Sequence, residues 1–514
     1  MNIKKLASIL LQRRVIVGLL ILAQALALLA STLLFSWAYF YMYWAYVILS
    51  VLAVLIIVSR QTDPGYKIAW IIPILLFPAF GWLVYLLCGG NRMSARQRRK
   101  MQSVDRTMRK QLEQDCKAEV LSHFGTDAVN QARYVEQYAR CPVYTNTYTR
   151  YFPLGDDVFP VMLEELRKAQ RYIFLEYFII SPGIFWDSVV EILKEKHAAG
   201  VDVRVIYDDV GSLNTLPMNY AKKFEQETGI PCCFFNRFKP VISIRMNNRD
   251  HRKFCIIDGH TAFTGGINLA DEYINQLPRF GHWKDSAIMV KGEAAWSMTV
   301  MFLTMWEYVR DVKVDYDALR PNALPAEAAL GSGFFVQPYT DNPLDNEAVG
   351  ETVYLNLISK AERYVYIMTP YLIISDSVNT ALCNAAKAGV DVRIMTPHIP
   401  DKPLVFELTR SHYEPLLEAG VRIFEYTPGF VHAKNMVVDD IYAVVGSINM
   451  DYRSMFLHFE DAVWLCHDPT VMDVKADFLS TQIKCQPIML EQCLDHSWVR
   501  RLFRSILRVM GPLL

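Results

Sequence analysis

His251-Arg-Lys253-Phe-Cys-Ile-Ile-Asp258 and His432-Ala-Lys434-Asn-Met-Val-Val-Asp439 are two copies of one pattern, His-x-Lys-x4-Asp, in a single chain. Each is followed by a small-residue turn and an asparagine, Gly265-Gly266-Ile-Asn268 and Gly446-Ser447-Ile-Asn449. The likeness extends upstream. Lys168-Ala-Gln-Arg-Tyr172 matches Lys360-Ala-Glu-Arg-Tyr364, and Ala199-Gly-Val-Asp-Val-Arg204 is identical to Ala388-Gly-Val-Asp-Val-Arg393. Self-similarity over so long a stretch marks a duplicated unit. Each half reads as an apolar strand, an amphipathic helix closed by a glycine (Gly200, Gly389), and a second buried strand. Repeated βαβ units predict two tandem α/β/α domains, residues 131–319 and 334–495, joined by a linker over 320–333.

The motif can be placed within each unit. His251 and Lys253 lie two apart at the head of a strand-like run, so their side chains share a face. A tight turn at Asp258-Gly259 sets Lys253 opposite Thr264 and His251 opposite Gly266, and a turn at Asp439-Asp440 sets His432 opposite Ser447. Gly266 and Ser447 are therefore expected, with Asn268 and Asn449, among the groups that bind phosphate and stabilise a transition state, through free backbone N–H groups beside each histidine. Asp258 and Asp439 are counted with the catalytic motif, but they are expected to anchor the turn rather than touch substrate.

Two histidines, two lysines and two asparagines suit a phosphodiester. The lysines and amides can face the charge on the equatorial oxygens of its transition state. One neutral imidazole can attack phosphorus while the other, protonated, gives its proton to the departing alkoxide. An attacking imidazole needs an acceptor on its second nitrogen, and Asp285 and Glu460, each downstream of a motif at the head of an apolar run, are the candidates. Arg245, Arg249 and Arg252 crowd the first motif and are candidates for a second phosphate or for a solvated basic loop. No Asp/Glu/His or Cys spacing suggests metal ligands, so neither a metal nor another cofactor is expected.

The N-terminal ninety residues have another character. Val15 to Ser59 holds no charge, too long for one bilayer crossing at about 20 residues per span. Segments near Val15–Phe35, Trp37–Ser59 and Ile68–Cys88 predict two or three membrane helices within residues 1–90, followed by a basic juxtamembrane linker over 91–130. The dense cluster Arg92 to Lys100 favours a multi-pass protein of the bacterial cell membrane with cytoplasmic catalytic domains. The chain carries 53 basic and 53 acidic residues, but beyond residue 110 there are 39 basic against 51 acidic, a net of −12. That is the reverse of a nucleic-acid footprint. The positive charge sits instead where anionic headgroups would be. The tail 496–514 is basic and amphipathic, suiting an interfacial membrane helix or a helix docked on its own domain.

The paired His-x-Lys-x4-Asp motifs with Gly-Gly/Ser-x-Asn resemble the phospholipase D superfamily. Within it the chain is most similar to bacterial cardiolipin synthases, through Asp63-Pro-Gly-Tyr-Lys-Ile-Ala-Trp70, Arg249-Asp-His-Arg-Lys253, Thr369-Pro-Tyr371, Phe430-Val-His-Ala-Lys434 and Asn449-Met-Asp-Tyr-Arg-Ser454. The resemblance implies two halves about a pseudo-twofold axis, sharing one active site. It implies transfer of a phosphatidyl group between two phosphatidylglycerol molecules, giving cardiolipin and glycerol through a phosphohistidine, with phosphatidylglycerol and membrane lipids as partners. His251 is then the nucleophile and His432 the acid and later base, with Asp285 and Glu460 orienting the histidines. Lys284, His458 and the Leu-Ile-Ile after Tyr371 depart from the family's usual residues. A membrane-bound hydrolase or other phosphatidyltransferase, and a non-catalytic lipid scaffold, are the alternatives. The scaffold predicts erosion of the His/Lys/Asn set, and that set is intact.

Overall fold

The computed structural model describes residues 39–60, 63–77, 95–113, 118–237, 248–345, 347–495 and 497–513, with isolated positions at 26, 81–82, 85–86 and 89. The expected duplication is present strand for strand. In the first half the sheet runs, edge to edge, through Thr147–Phe152, Ala287–Gly292, Thr261–Gly265, Lys253–Ile257, Tyr172–Tyr177, Asp202–Asp208 and Cys232–Phe235. In the second it runs in the same order through Phe335–Asp341, His458–Cys466, Tyr442–Gly446, Asn435–Val438, Tyr364–Met368, Asp391–Pro397 and Arg422–Tyr426, and then adds Cys485–Ile488 at the edge. The central strands are buried on both faces, which is why they read as continuous apolar runs rather than alternating ones. The crossover helices Ile184–Ala198 and Asp376–Lys387 end where Gly200 and Gly389 take positive φ, 90° and 97°, supplying the expected closure.

The halves are not beads on a string. Helix Ala295–Arg310 has all of residues 295–306 buried, and a single apolar core continues from Phe174 and Phe254 through Trp296 and Phe302 to Val365 and Trp464. Two short parallel pairings stitch the halves together: Arg249-Asp250 with His458-Phe459, and Gly429–Val431 with His282–Lys284. Each joins the residues just before one motif histidine to the residues just before the other half's downstream carboxylate.

The motif hairpins differ from expectation by one residue. Ile257 pairs with Thr261 and Val438 with Tyr442, so each turn holds three residues rather than two. Asp258 and Gly259 have φ of 53° and 73°, and Asp439 and Asp440 have 55° and 63°. Positive φ at both central positions is what a two-residue turn requires, and His260 N–H and Ile441 N–H close that turn on the Ile257 and Val438 carbonyls; His260 and Ile441 are themselves the extra residues before each returning strand. The register therefore shifts, and Gly446 N–H donates to the Lys434 carbonyl at 3.2 Å in place of the expected Ser447 opposite His432.

Near the N-terminus, helix Tyr39–Val58 spans 20 residues without a charge, about 30 Å at 1.5 Å per residue. It packs against helix Pro64–Leu76, which is capped by Asp63 and carries Pro73 in its last turn. Among the described residues no helix is long and apolar enough to cross a membrane, the side chains of Tyr39–Val58 being described continuously only from position 44. The expected segment Val15–Phe35 lies outside the described residues apart from Leu26, as does part of Ile68–Cys88. The basic helix Ala95–Leu112 is followed by a 3-10 turn at Ala118–Phe124 and a helix at Thr126–Ala139.

Candidate active site

The strand pairings between halves decide the geometry of the histidines. His251 N–H donates to the Phe459 carbonyl at 2.9 Å, and His432 N–H donates to the Lys284 carbonyl at 2.7 Å. Each imidazole is thereby delivered to the carboxylate of the opposite half. His251 Nδ1 lies 2.9 and 3.0 Å from the two carboxylate oxygens of Glu460, and His432 Nδ1 lies 2.6 Å from Asp285 Oδ2. Both carboxylates are fully buried. Nδ1–H donated to a carboxylate leaves Nε2 as the lone-pair nitrogen, and this fixes the tautomer that a nucleophile or base needs. Asp285 and Glu460 thus do hold the histidines, and each serves the other half's motif.

Lys253 and Lys434 are each about 1 % exposed, and their ammonium groups donate to the carbonyls of His251 and His432. The Asn268 side chain accepts from Ile179 N–H at 3.0 Å and donates to the Tyr273 hydroxyl at 2.8 Å. Asn449 Oδ1, by contrast, is buried and has no hydrogen-bond partner among the described residues. Phe178 meets His251 edge-on at 4.8 Å, and Tyr273, Trp283 and Phe430 surround His432 at 5.4 to 6.0 Å. These rings make a dry wall.

Burial sets the electrostatics. It pushes His251 down to about 3 against the Glu460 carboxylate, with Lys253 adding to the fall. It pushes His432 down to about 4, with Lys434 adding and Asp285 opposing. Burial also lowers Lys434 to about 7 and depresses Lys253, with the buried carboxylates of the site opposing both shifts. Burial alone would raise Glu460 and Asp285, but Glu460 is held below the usual carboxylate range mainly by His251, and Asp285 by His432 and Lys434. Pushed this far down, both imidazoles stand neutral, and a phosphate charge brought beside them favours protonating one.

Several expected roles are corrected. Asp258 accepts from the backbone N–H groups of Gln170, Arg171 and Tyr172, and Asp439 from those of Glu362, Arg363 and Tyr364, so both anchor loops and stand outside the reacting set. Gly266 N–H donates to the Ser286 carbonyl at 3.0 Å and Ser447 N–H to the Asp461 carbonyl at 2.8 Å, so neither amide is free for phosphate. The Ser447 hydroxyl donates to Glu460. Gly266 is glycine for room: a Cβ there would stand 2.0 Å from Asp285 Oδ1. Arg249 pairs with Asp208 at 3.3 Å, and Arg252 with Asp250 and Glu176, so these two arginines neutralise buried acids rather than receive a second phosphate. Arg245 lies outside the described residues. Lys284 pairs with Asp477 at 2.8 Å, and the Tyr371 hydroxyl with Asp401 and Lys402.

Nothing in the motif pattern points to Tyr273, whose counterpart five residues after Asn449 is Ser454, or to Asp461, which accepts from the Thr264 hydroxyl and the Lys253 N–H. Among the described residues one group has metal-ligand character: His251, His458 and Glu460, with ligand atoms within 4.8 Å of one another. An ion there would have to displace the bond between His251 and Glu460.

Comparison with known proteins identifies the family. The family model described as cardiolipin synthase, PLD-like domain, matches residues 162–306 and 354–481, and a phospholipase D-nuclease N-terminal model matches 48–90. The chain belongs to the phospholipase-D-like family of cardiolipin synthases. An uncharacterized protein of Streptococcus mutans is 41% identical over 472 residues, covering 90% of this chain and 99% of that one. A cardiolipin synthase of Halalkalibacterium halodurans is 32% identical over 464 residues, covering 90% and 91%. The crystal structure of phosphatidylserine synthase from Haemophilus influenzae shares the fold, with a TM-score of 0.57 at 15% identity over 75% of this chain and 100% of that one.

Proposed function

We propose that the chain is a cardiolipin synthase that works through a phosphohistidine. His251 Nε2 attacks the phosphorus of one phosphatidylglycerol, and the bond to its headgroup glycerol breaks. The departing alkoxide takes a proton from His432 Nε2, and glycerol leaves. The hydroxyl of a second phosphatidylglycerol then attacks the phosphorus, gives its proton to His432, and displaces His251 as cardiolipin forms. The roles of the two histidines follow the family resemblance. Lys253, Lys434, Asn268 and Asn449 are assigned to the charge on the equatorial oxygens. Asp285 and Glu460 hold the imidazole tautomers and stabilise the positive charge each ring acquires.

The observation that carries this reading is the crossed pair of dyads, His251 with Glu460 and His432 with Asp285. A scaffold has no use for two buried, tautomer-fixed imidazoles. An aromatic wall and a membrane anchor at residues 1–90 favour a lipid hydroxyl over water as acceptor. We place the protein in the bacterial cell membrane with its catalytic halves on the cytoplasmic side. Incubation of the full chain with phosphatidylglycerol vesicles tests the assignment. Cardiolipin and glycerol in equal amounts are expected, whereas phosphatidic acid with glycerol would make the protein a hydrolase.

A further inference from the structure

The C-terminal helix Trp498–Met510 is amphipathic, and its charged face docks on the chain in part: Arg504 is buried, whereas Arg500, Arg501 and Arg508 stay exposed. Arg500 and Arg504 donate to Glu407, at 2.6 and 2.9 Å, and Arg501 lies 3.5 Å from Glu414. Leu507 packs with Ile373 and Leu408. The outward face carries Trp498, Val499, Leu502, Phe503 and Ile506, between 45 and 74 % exposed. That is a contiguous apolar stripe of a kind soluble surfaces rarely show. The helix also contacts Pro64–Leu76, whose Ile68, Leu75 and Leu76 are at least half exposed, so one apolar surface runs from the N-terminal helices onto the C-terminal one. That continuity identifies the bilayer as what covers the stripe.

At the border of this stripe lies a cavity of about 300 Å³, lined by Arg410, Arg501, Arg504 and Arg508 with Ser411 and Ser505, and by Glu414 and Glu418. Arg504 is 7 % exposed, and its buried Nη2 has no hydrogen-bond partner among the described residues. Arg508 makes no ion pair among the described residues. At 3.6 residues per turn, Arg501, Ser505 and Arg508 fall on the arc between the docked arginines and Trp498. A group bound there is placed with its charge on guanidinium donors and its tail along the exposed apolar face. Arg410 is committed to Glu425 at 2.7 Å, so the donors left for a phosphate are Arg504 Nη2, Arg508 and the remaining N–H groups of Arg501. None of these residues belongs to the catalytic set.

We propose that this cavity binds the phosphate of an anionic phospholipid, making the C-terminal helix a second lipid site that fixes the catalytic halves against the membrane. The proposal takes the bilayer setting from the functional reading but does not depend on what reaction the chain performs. The test uses full-length protein carrying H251A, so that no lipid is consumed, in phosphatidylcholine nanodiscs with or without phosphatidylglycerol. Amide hydrogen exchange over 498–510 is the readout. At a lipid concentration ten times its Kd, phosphatidylglycerol slows exchange about tenfold, and R501Q/R508Q, which leaves the Glu407 pairs in place, removes that slowing. Three outcomes overturn the proposal: equal exchange with and without phosphatidylglycerol, full protection retained in R501Q/R508Q, or the same protection from inorganic phosphate in phosphatidylcholine discs, which would make free phosphate the ligand. Because turnover plays no part, failure here is distinct from failure to make cardiolipin.

Discussion

Glu460→Gln isolates the charge of one orienting acid from its shape. The side chain is fully buried between the His251 ring and the Ser447 hydroxyl. Ser447 Oγ also lies 3.1 Å from the Asp461 carbonyl, so its proton has another acceptor if a glutamine N–H turns toward it. The amide oxygen can then still receive His251 Nδ1–H. The tautomer survives, and what disappears is the negative charge facing a ring that becomes cationic as it attacks phosphorus. With the charge centres about 5 Å apart and an effective dielectric near 20, that attraction is about 3 kcal/mol. At 1.36 kcal/mol per decade, kcat falls by roughly 10²- to 10³-fold. Glu460 also opposes the fall in the Lys253 pKa, so residual activity declines at lower pH than in the parent. Single-turnover formation of cardiolipin from labelled phosphatidylglycerol, with circular dichroism as a folding control, measures both effects. A loss below about fivefold would refute the argument that Glu460 acts through charge on His251.

Four further outcomes are expected. H251A and H432A each lower turnover by at least about 10⁴-fold while folding normally, and an acid-labile phosphoryl label accumulates in neither H251A nor H251A/H432A; a label in H251A would reassign the nucleophile. G266A, whose new methyl meets Asp285 Oδ1 at 2.0 Å, displaces that carboxylate, lowering both Tm and kcat, whereas S447A keeps the fold and loses about 1 kcal/mol of transition-state stabilisation. Lys434, which burial lowers to about 7, binds a phosphodiester better when charged, so substrate binding takes up protons and KM rises as pH climbs above 7. Calorimetry in buffers of different ionisation enthalpy checks the uptake, and none would contradict it. Cleavage within the linker 320–333 leaves activity largely intact, because paired strands and a shared core hold the halves; separation of the fragments on a sizing column would show otherwise.

What the sequence made legible is what duplication writes into it. The His/Lys/Asn sets, the βαβ units with their closing glycines, and the two carboxylates were all readable because each occurs twice. The crossing of the dyads was not, since it depends on Arg249-Asp250 and Gly429–Val431 pairing with strands of the other half, and a repeat does not state how its copies dock. The one-residue register difference comes from His260 and Ile441, which stand unpaired between each left-handed pair and the returning strand, and nothing in the local residue types announces them. Arg249 and Arg252 looked like spare cations because Asp208 and Glu176, which neutralise them, lie more than forty residues away. The tail offered two readings, membrane-facing or self-docked. The structure shows the second directly, and the exposed stripe leaves room for the first.

The main-chain bonds from His251 to Phe459 and from His432 to Lys284 have a consequence for traffic through the site. A clamshell that gaped to admit cargo would tear both rings from their partners at once. Opening along that seam is therefore disfavoured for as long as both rings are needed.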